Sequence, residues 1–256
     1  MNRQAQAVVL LLLGGAVVRA SVTDLYLRYV KEGLRPFLVA AGVALIAAAV
    51  MTLWYEVRPL LPGRAGTPSG EGDHAEPGDH AGDSDHGGHG HHEPRVGWLL
   101  LLPVLGLLLV APPALGSYAV SQAGTTIPGD GLPDYPALPD EDPARITVLD
   151  YASRALFDAG ASLGERRVQL TGFIANGPDD RPILARMVLS CCAADGRPVK
   201  LGLTGQAPVG LPDDTWVEVV GRYSDRIGRD PVNDAEIPYL DVETWREVPT
   251  PKRPYE

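Results

Sequence analysis

Residues 167–192 read RVQLTGFIANGPDDRPILARMVLSCC, two apolar runs joined by the turn-forming sequence NGPDD. The first run alternates apolar and polar side chains, as a half-buried strand does, and Gly172 is a candidate bulge position. Strands are predicted over residues 167–175, 183–192, 198–204, 215–223 and 239–246. Five short strands separated by turn signals predict a small soluble β-barrel, partly open and OB-like in its strand number, within residues 147–256.

One helix is predicted before the strands, in the segment TVLDYASRALFDAG at residues 147–160. Thr147 can cap its N-terminus, Asp150 occupies the capping-box position, and Gly160 is a natural C-terminal stop. Residues 121–146 come before this helix and mix five prolines with glycine and aspartate. That composition is typical of an extended linker.

Cys191 and Cys192 lie at the predicted end of the second strand, and Asp195 follows in the turn. Neighbouring side chains of a strand face opposite ways, so one thiol is expected in the core and one outside, unless the strand has already turned. We favour a small buried hydrophobe for at least one of the two. The functional alternative is a metal site, or a redox-sensitive spot, formed by the pair and Asp195. Such a site needs a further ligand to complete tetrahedral zinc coordination.

Charge and cysteine count exclude two classes of protein. The chain has a net charge of −10, and residues 121–256 hold 14 Lys or Arg against 22 Asp or Glu. An acidic domain argues against a nucleic-acid partner, because phosphate binding needs a basic surface. The two cysteines are adjacent and cannot link distant segments, which excludes a disulfide scaffold.

Two uncharged runs are long enough to cross a hydrocarbon core about 30 Å thick. They are PFLVAAGVALIAAAVMTLWY at residues 36–55 and GWLLLLPVLGLLLVAPPALG at residues 97–116. We favour a further, uncleaved span over residues 5–25, whose helical pattern continues through LYLRYV; a cleaved signal peptide is the alternative. The prediction is a membrane α-helical N-terminal region of about three spans, two within residues 1–55 and one within residues 96–120.

The connection between the second and third predicted spans, residues 56–95, contains all six histidines of the chain. Its Gly, Pro, Asp and His content cannot bury enough apolar surface to offset the entropy of ordering, so a disordered loop is predicted. Imidazole and carboxylate suit zinc or another divalent transition metal, and the irregular spacing predicts weak, exchangeable binding. A solvated linker with incidental histidines is the alternative. The candidate ligands are His74, His80, His86, His89, His91 and His92.

Several stretches of the chain are distinctive: RYVKEGLRPFLVAAGVAL near the N-terminus, then VQLTGFI, ARMVLSCCAADGRPVKLGL and WVEVVGRY. With the His-containing connection between spans, they resemble the YcgQ-like family of bacterial permease subunits, most strongly over residues 166–223. The resemblance implies the small subunit of a two-component membrane system, whose larger partner is a multi-span YcgR-like permease of unsettled substrate. The family motif falls on residues 191–195 and implies no catalytic role.

The expected function is that of an accessory subunit of such a permease, linked to divalent metal handling through the histidine loop and the cysteine pair. A membrane-anchored metal-binding or sensing module without a transport role is the alternative. No enzyme is expected, since the sequence contains no nucleophile elbow, phosphate loop or metalloprotease motif. A multi-pass location in the cell membrane follows. The resemblance implies an extracytoplasmic C-terminal domain, while the basic residues balance across the membrane and do not decide orientation.

Overall fold

The computed structural model describes residues 3–57, 106, 114–127, 135–177 and 181–256. The described residues fall into two compact units, one within residues 1–18 and 40–111, the other within residues 19–39 and 112–256. Its helices are α1 (Arg3–Val22), α2 (Arg35–Val57), α3 (Ser117–Gln122) and α4 (Val148–Phe157). Its strands are β1 (Ala144–Arg145), β2 (Val168–Asn176), β3 (Pro182–Val188), β4 (Arg197–Gly205), β5 (Trp216–Arg229) and β6 (Glu236–Glu247).

Five of the strands close into a barrel in the second unit. Their order around the barrel is β2-β3-β4-β6-β5, and β5 pairs back with β2. Strands β4 and β6 run parallel, whereas the other neighbouring pairs in the ring are antiparallel. The predicted small OB-like β-barrel is therefore confirmed. It is closed rather than partly open, because residues 217–221 of β5 pair with β2 on one edge and with β6 on the other.

The barrel is held by one apolar core, to which every strand of the ring contributes an inward-facing side chain. Burying a Val or Leu side chain contributes about 1.5–3 kcal/mol each relative to leaving it exposed. The alternating pattern read from the sequence produces this inward face. Representative core residues, all 0% exposed, are Leu170, Leu184, Leu201, Val219 and Leu240.

Helix α4 forms where it is predicted and packs one face into the same core. The Thr147 side chain accepts a hydrogen bond from the Asp150 amide at 3.0 Å, which caps the first turn. Tyr151 is fully buried, and its hydroxyl donates to the carbonyl oxygen of Tyr239 at 2.6 Å. Gly160 adopts a positive φ of 74° just beyond the helix, a conformation that favours glycine.

Parts of the predicted linker and third span belong to the barrel unit. Val120 of α3 is buried against Phe173 and Met187. Leu138 lies in the main core, and β1 pairs in parallel with β2. These elements are two to six residues long, so they carry no periodic hydrophobic signal that a sequence pattern could reveal.

In the first unit, α1 and α2 cross closely at two glycines. A Cβ atom on Gly14 would lie 2.8 Å from Cγ1 of Ile46 and 2.9 Å from the carbonyl oxygen of Gly42. A Cβ atom on Gly42 would lie 2.7 Å from Cγ2 of Val18. Neither glycine can accept a side chain without a shift of the neighbouring helix. Small residues at a crossing point are the usual means by which apolar helices pack in membranes.

One helical stretch among the described residues, Glu32–Tyr55, is long and apolar enough to cross a membrane by length and composition. It consists of a 3-10 turn at Glu32–Leu34 and most of α2. It contains the predicted span at residues 36–55. The apolar helix Gln6–Val22 is shorter than this requirement. The third predicted span lies largely outside the described residues. The structure therefore contains one apolar N-terminal helix of the length that a membrane anchor or a signal sequence needs.

Candidate metal centre

The chain leaves the barrel wall in a tight turn between β3 and β4. Strand β3 ends at Val188, and β4 begins at Arg197. Leu189 is buried and fixes the start of the turn to the barrel unit. A single 3-10 turn, Ala193–Asp195, completes the reversal. Both cysteines and the aspartate of SCCAAD therefore lie on this one turn.

The carboxylate of Asp195 organises the turn by accepting hydrogen bonds from the backbone. Its Oδ1 accepts from the amide of Ser190 at 2.8 Å. Its Oδ2 accepts from the amides of Cys191 at 2.9 Å and Cys192 at 3.1 Å. The Cys191 thiol also donates to Oδ2 over 2.8 Å. These contacts bring both thiols and the carboxylate together on one short piece of chain.

The three side chains have the spacing of a metal-binding group. The Sγ atoms of Cys191 and Cys192 and a carboxylate oxygen of Asp195 all lie within 4.8 Å of one another. Cys191 is exposed and Cys192 half-buried, and both are free thiols. Among the residues that the structure describes, this is the one group of three or more His, Cys, Asp or Glu side chains with such spacing.

Hydrogen bonding moves the pKa values of the pair in opposite directions. The Cys191 thiol, followed by the amides of Cys191 and Cys192, holds the pKa of Asp195 well below its usual range. The hydrogen bond to Asp195, followed by one with Cys192, raises the pKa of the Cys191 thiol to about 11. A raised pKa keeps this thiol protonated near neutral pH, whereas reactive cysteines have lowered pKa values. A cation at the site would favour the thiolate by replacing its proton.

Neither thiol lies in the core, because the strand has already ended before the cysteines, which is the exception stated above; the predicted strand end at residue 192 is wrong. The strand ends three residues before Cys191, and neither cysteine belongs to a buried cluster. Within the apolar run ILARMVLSCC only Ser190 is a common turn residue, and one serine is a weak signal of a strand end. The turn depends on hydrogen bonds to the Asp195 carboxylate and on contacts with a distant segment, which the local pattern does not contain.

That distant segment is residues 29–32, between α1 and α2, and its contact with the cysteine turn was not predicted from the sequence. The predicted helix does not continue through LYLRYV, because α1 ends at Val22 and Asp24 adopts a left-handed φ of 55°. Val30 then forms an isolated antiparallel β-bridge with Cys192. Asp24 just after the apolar run was the available signal, since aspartate tolerates the left-handed conformation that ends a helix.

The six predicted histidine ligands, and the predicted loop beyond its first two residues, which end α2, lie outside the described residues. Their binding of metal stays a prediction. The structure brings together the other three predicted ligands and leaves open the further ligand that a tetrahedral site requires.

Comparison with known proteins adds a family match without a function. Residues 155–256, less than half of the chain, match the family described as the DUF1980 C-terminal domain. The match starts within α4 and includes all five strands of the barrel and the SCCAAD turn. No curated protein and no solved structure matches the chain. The functional argument therefore rests on the site itself.

Proposed function

We propose that this protein is a membrane-anchored module that binds a thiophilic divalent metal ion, zinc-like in its chemistry, through Cys191, Cys192 and Asp195. One observation carries the proposal: two Sγ atoms and a carboxylate oxygen lie within 4.8 Å of one another on an exposed turn. Thiolate and carboxylate together suit zinc and related transition-metal ions, whereas an all-oxygen site would suit magnesium or calcium.

The incomplete ligand set supports exchange rather than permanent structural binding. Structural zinc sites are closed by four protein ligands, and three donors leave a position for water or for a ligand from another molecule. The high pKa of the Cys191 thiol works in the same direction, because a proton competes with the metal for this sulfur. A carrier or sensor site requires such reversible binding. The histidine loop is proposed to hold the same class of ion weakly.

The apolar helix Glu32–Tyr55 supports anchoring in the membrane. We propose that it remains in the mature protein, with a further span in α1 and another in the apolar stretch that precedes Leu115, and that the barrel domain is attached on the extracytoplasmic side. The sequence resemblance described above supports that orientation.

A larger multi-span permease subunit is the proposed partner. The charge-free run at residues 36–55 offers no ionisable side chain to line a path for an ion. Few spans are also insufficient for a transporter made of paired repeats. In this arrangement the protein binds the metal ion, and the partner forms the path through the membrane. The resemblance to permease subunits supports such a division of roles.

The metal site is tested with Co²⁺ as the probe, on the full-length protein in detergent. Cobalt bound to thiolate has a charge-transfer absorption band that cobalt bound to imidazole lacks, so the cysteine site can be followed separately from the histidine loop. We expect the band in the wild type and its loss in Cys191→Ser/Cys192→Ser. A variant with all six histidines replaced by alanine is the matched control and keeps the band. Absence of the band in the wild type would refute the metal site.

The partner is tested by affinity isolation of the tagged protein from its own membranes in mild detergent. We expect a polytopic protein larger than this chain to be recovered in stoichiometric amount. Recovery of no such protein would favour the module without a transport role. In that case deletion of the protein changes metal tolerance but leaves rates of cellular metal uptake and efflux unchanged.

A further inference from the structure

The turn that carries the cysteines is bonded to the segment that links the two apolar helices. We call residues 29–32 the helix connector. The amide of Lys31 donates to the carbonyl oxygen of Cys191 at 3.0 Å, and the amide of Ala193 donates to the carbonyl oxygen of Tyr29 at 2.6 Å. Together with the β-bridge between Val30 and Cys192, these bonds form a short antiparallel pairing.

Cys191 is therefore held from two sides, and Cys192 lies between the two bonds to the connector. The amides of Cys191 and Cys192 are bound by the Asp195 carboxylate, while the Cys191 carbonyl is bound by the connector. A metal ion that binds both sulfur atoms would act on the backbone of the two cysteines. Hydrogen bonds with the connector restrain that same backbone. The connector is thus in a position to sense occupancy of the site.

A second set of contacts fixes the connector region to residues that follow β6. The Tyr255 hydroxyl donates to the carbonyl oxygen of Arg28 at 2.7 Å and accepts from the amide of Leu115 at 2.9 Å. Arg253 and Glu32 form an ion pair at 2.9 Å, but both side chains are more than half exposed, so this pair adds little. The restraint comes mainly from backbone and hydroxyl hydrogen bonds.

We propose that the helix connector is the supporting half of the metal site, and that metal binding at the cysteines and the conformation of residues 29–32 are coupled. This inference rests on the proposed metal-binding function. Coupling of this kind is reciprocal: if metal favours the paired conformation of the connector, the paired connector raises metal affinity by the same factor. Because the connector joins α1 to α2, metal occupancy would be passed directly to the apolar helices.

Lys31 allows one bond of this pairing to be removed selectively. Its φ of −62° already matches the value that a proline ring imposes, and the preceding Val30 lies in a β-bridge, as a residue before proline prefers. Lys31→Pro therefore fits the backbone dihedral angle and deletes the amide donor to Cys191. Its ring Cδ atom also takes the place of the amide hydrogen and pushes against the Cys191 carbonyl oxygen, so this end of the pairing opens. Lys31→Ala is the matched control, because it keeps the amide and loses only the side-chain bond to the Leu189 carbonyl.

The measurement is the Co²⁺ affinity of the full-length variants, read from the thiolate charge-transfer band. We expect Lys31→Pro to bind roughly fivefold more weakly than Lys31→Ala, the factor that corresponds to about one net hydrogen bond. Equal affinities of the two variants would overturn the coupling and leave the metal site intact. Absence of the band in the wild type would instead overturn the metal site itself, so the two failures are distinguishable.

Hydrogen exchange of the wild type provides the reciprocal test and needs no variant of the connector. We expect saturation with Zn²⁺ to slow exchange in peptides that contain the Lys31 amide, and to have no such effect in Cys191→Ser/Cys192→Ser. Unchanged exchange at the connector, with the cysteine site shown to be occupied by the loss of thiol alkylation, would contradict the proposal.

Discussion

The Asp195 carboxylate binds the backbone amides of both cysteines and, at the same time, opposes ionisation of the Cys191 thiol. Its Oδ2 accepts from both cysteine amides and from the Cys191 sulfur. The result is a thiol and carboxylate pair at neutral pH, with the pKa of Cys191 raised to about 11. One residue thus sets both the geometry and the protonation state of the site.

Replacement of this carboxylate tests the electrostatic half of its role. In a Cys192→Ser background, Asp195→Asn should lower the pKa of Cys191 toward the ordinary thiol value, because an amide has no negative charge to oppose the thiolate. A lower pKa means more thiolate at a given pH below it, so alkylation near pH 8 becomes faster. The pH dependence of the rate with a small alkylating agent measures the shift.

The matched control is Asp213→Asn, a carboxylate with backbone contacts on another turn, and it should leave the rate profile unchanged. An alkylation midpoint that is the same with and without the Asp195 carboxylate would show that burial or strain, rather than this contact, governs the thiol.

At the scale of elements, the crossing of α1 and α2 depends on two glycines that have no room for a side chain. Gly42→Leu should force the helices apart, with an overpacking cost of about 1–3 kcal/mol. Gly15→Leu is the matched control, because a Cβ atom there meets no atom within 4 Å. Thermal unfolding of both full-length variants in detergent, followed by helical circular dichroism, should show a lowered midpoint only for Gly42→Leu. Equal midpoints would contradict the close crossing.

Strands could be predicted where the alternation of apolar and polar residues agrees with the turn residues that follow. The end of a strand could not be predicted where it depends on a distant partner. All five strands start within three residues of the predicted position, and β2, β4 and β6 also end within one residue of it. Strand β5 extends to Arg229, beyond its prediction, because β6 continues to offer it a pairing edge. Strand β3 stops early because the backbone of the following residues forms hydrogen bonds with the Asp195 carboxylate and with the helix connector.

The same reasoning explains what could be predicted about the site. The residue types of Cys191, Cys192 and Asp195 indicated soft metal ligands, and their spacing along the chain is short enough to bring them together in any turn. Their supporting partners could not be inferred, since Lys31 and Tyr29 lie some 160 residues earlier and pair with the cysteine segment through backbone atoms. A backbone hydrogen bond leaves no signature in the side-chain sequence.

The whole molecule combines an apolar helix of spanning length with a closed barrel that carries the proposed metal site on one turn. The chain has two cysteines, both on that turn, so a membrane-impermeant maleimide reports the side on which the barrel lies. We expect intact cells to be labelled to the same extent as permeabilised cells, at a pH and time sufficient for a thiol of raised pKa. Labelling only after permeabilisation would place the barrel in the cytoplasm and contradict the proposed orientation.

The central claim is that metal is bound by the cysteine turn of the barrel. X-ray absorption at the zinc edge, on full-length protein loaded with one equivalent of Zn²⁺, measures the ligand atoms directly. The account predicts a sulfur shell at about 2.3 Å, which is absent from Cys191→Ser/Cys192→Ser. A first shell of nitrogen and oxygen alone, at about 2.0–2.1 Å in the wild type, would assign the metal to the histidine loop and contradict the account.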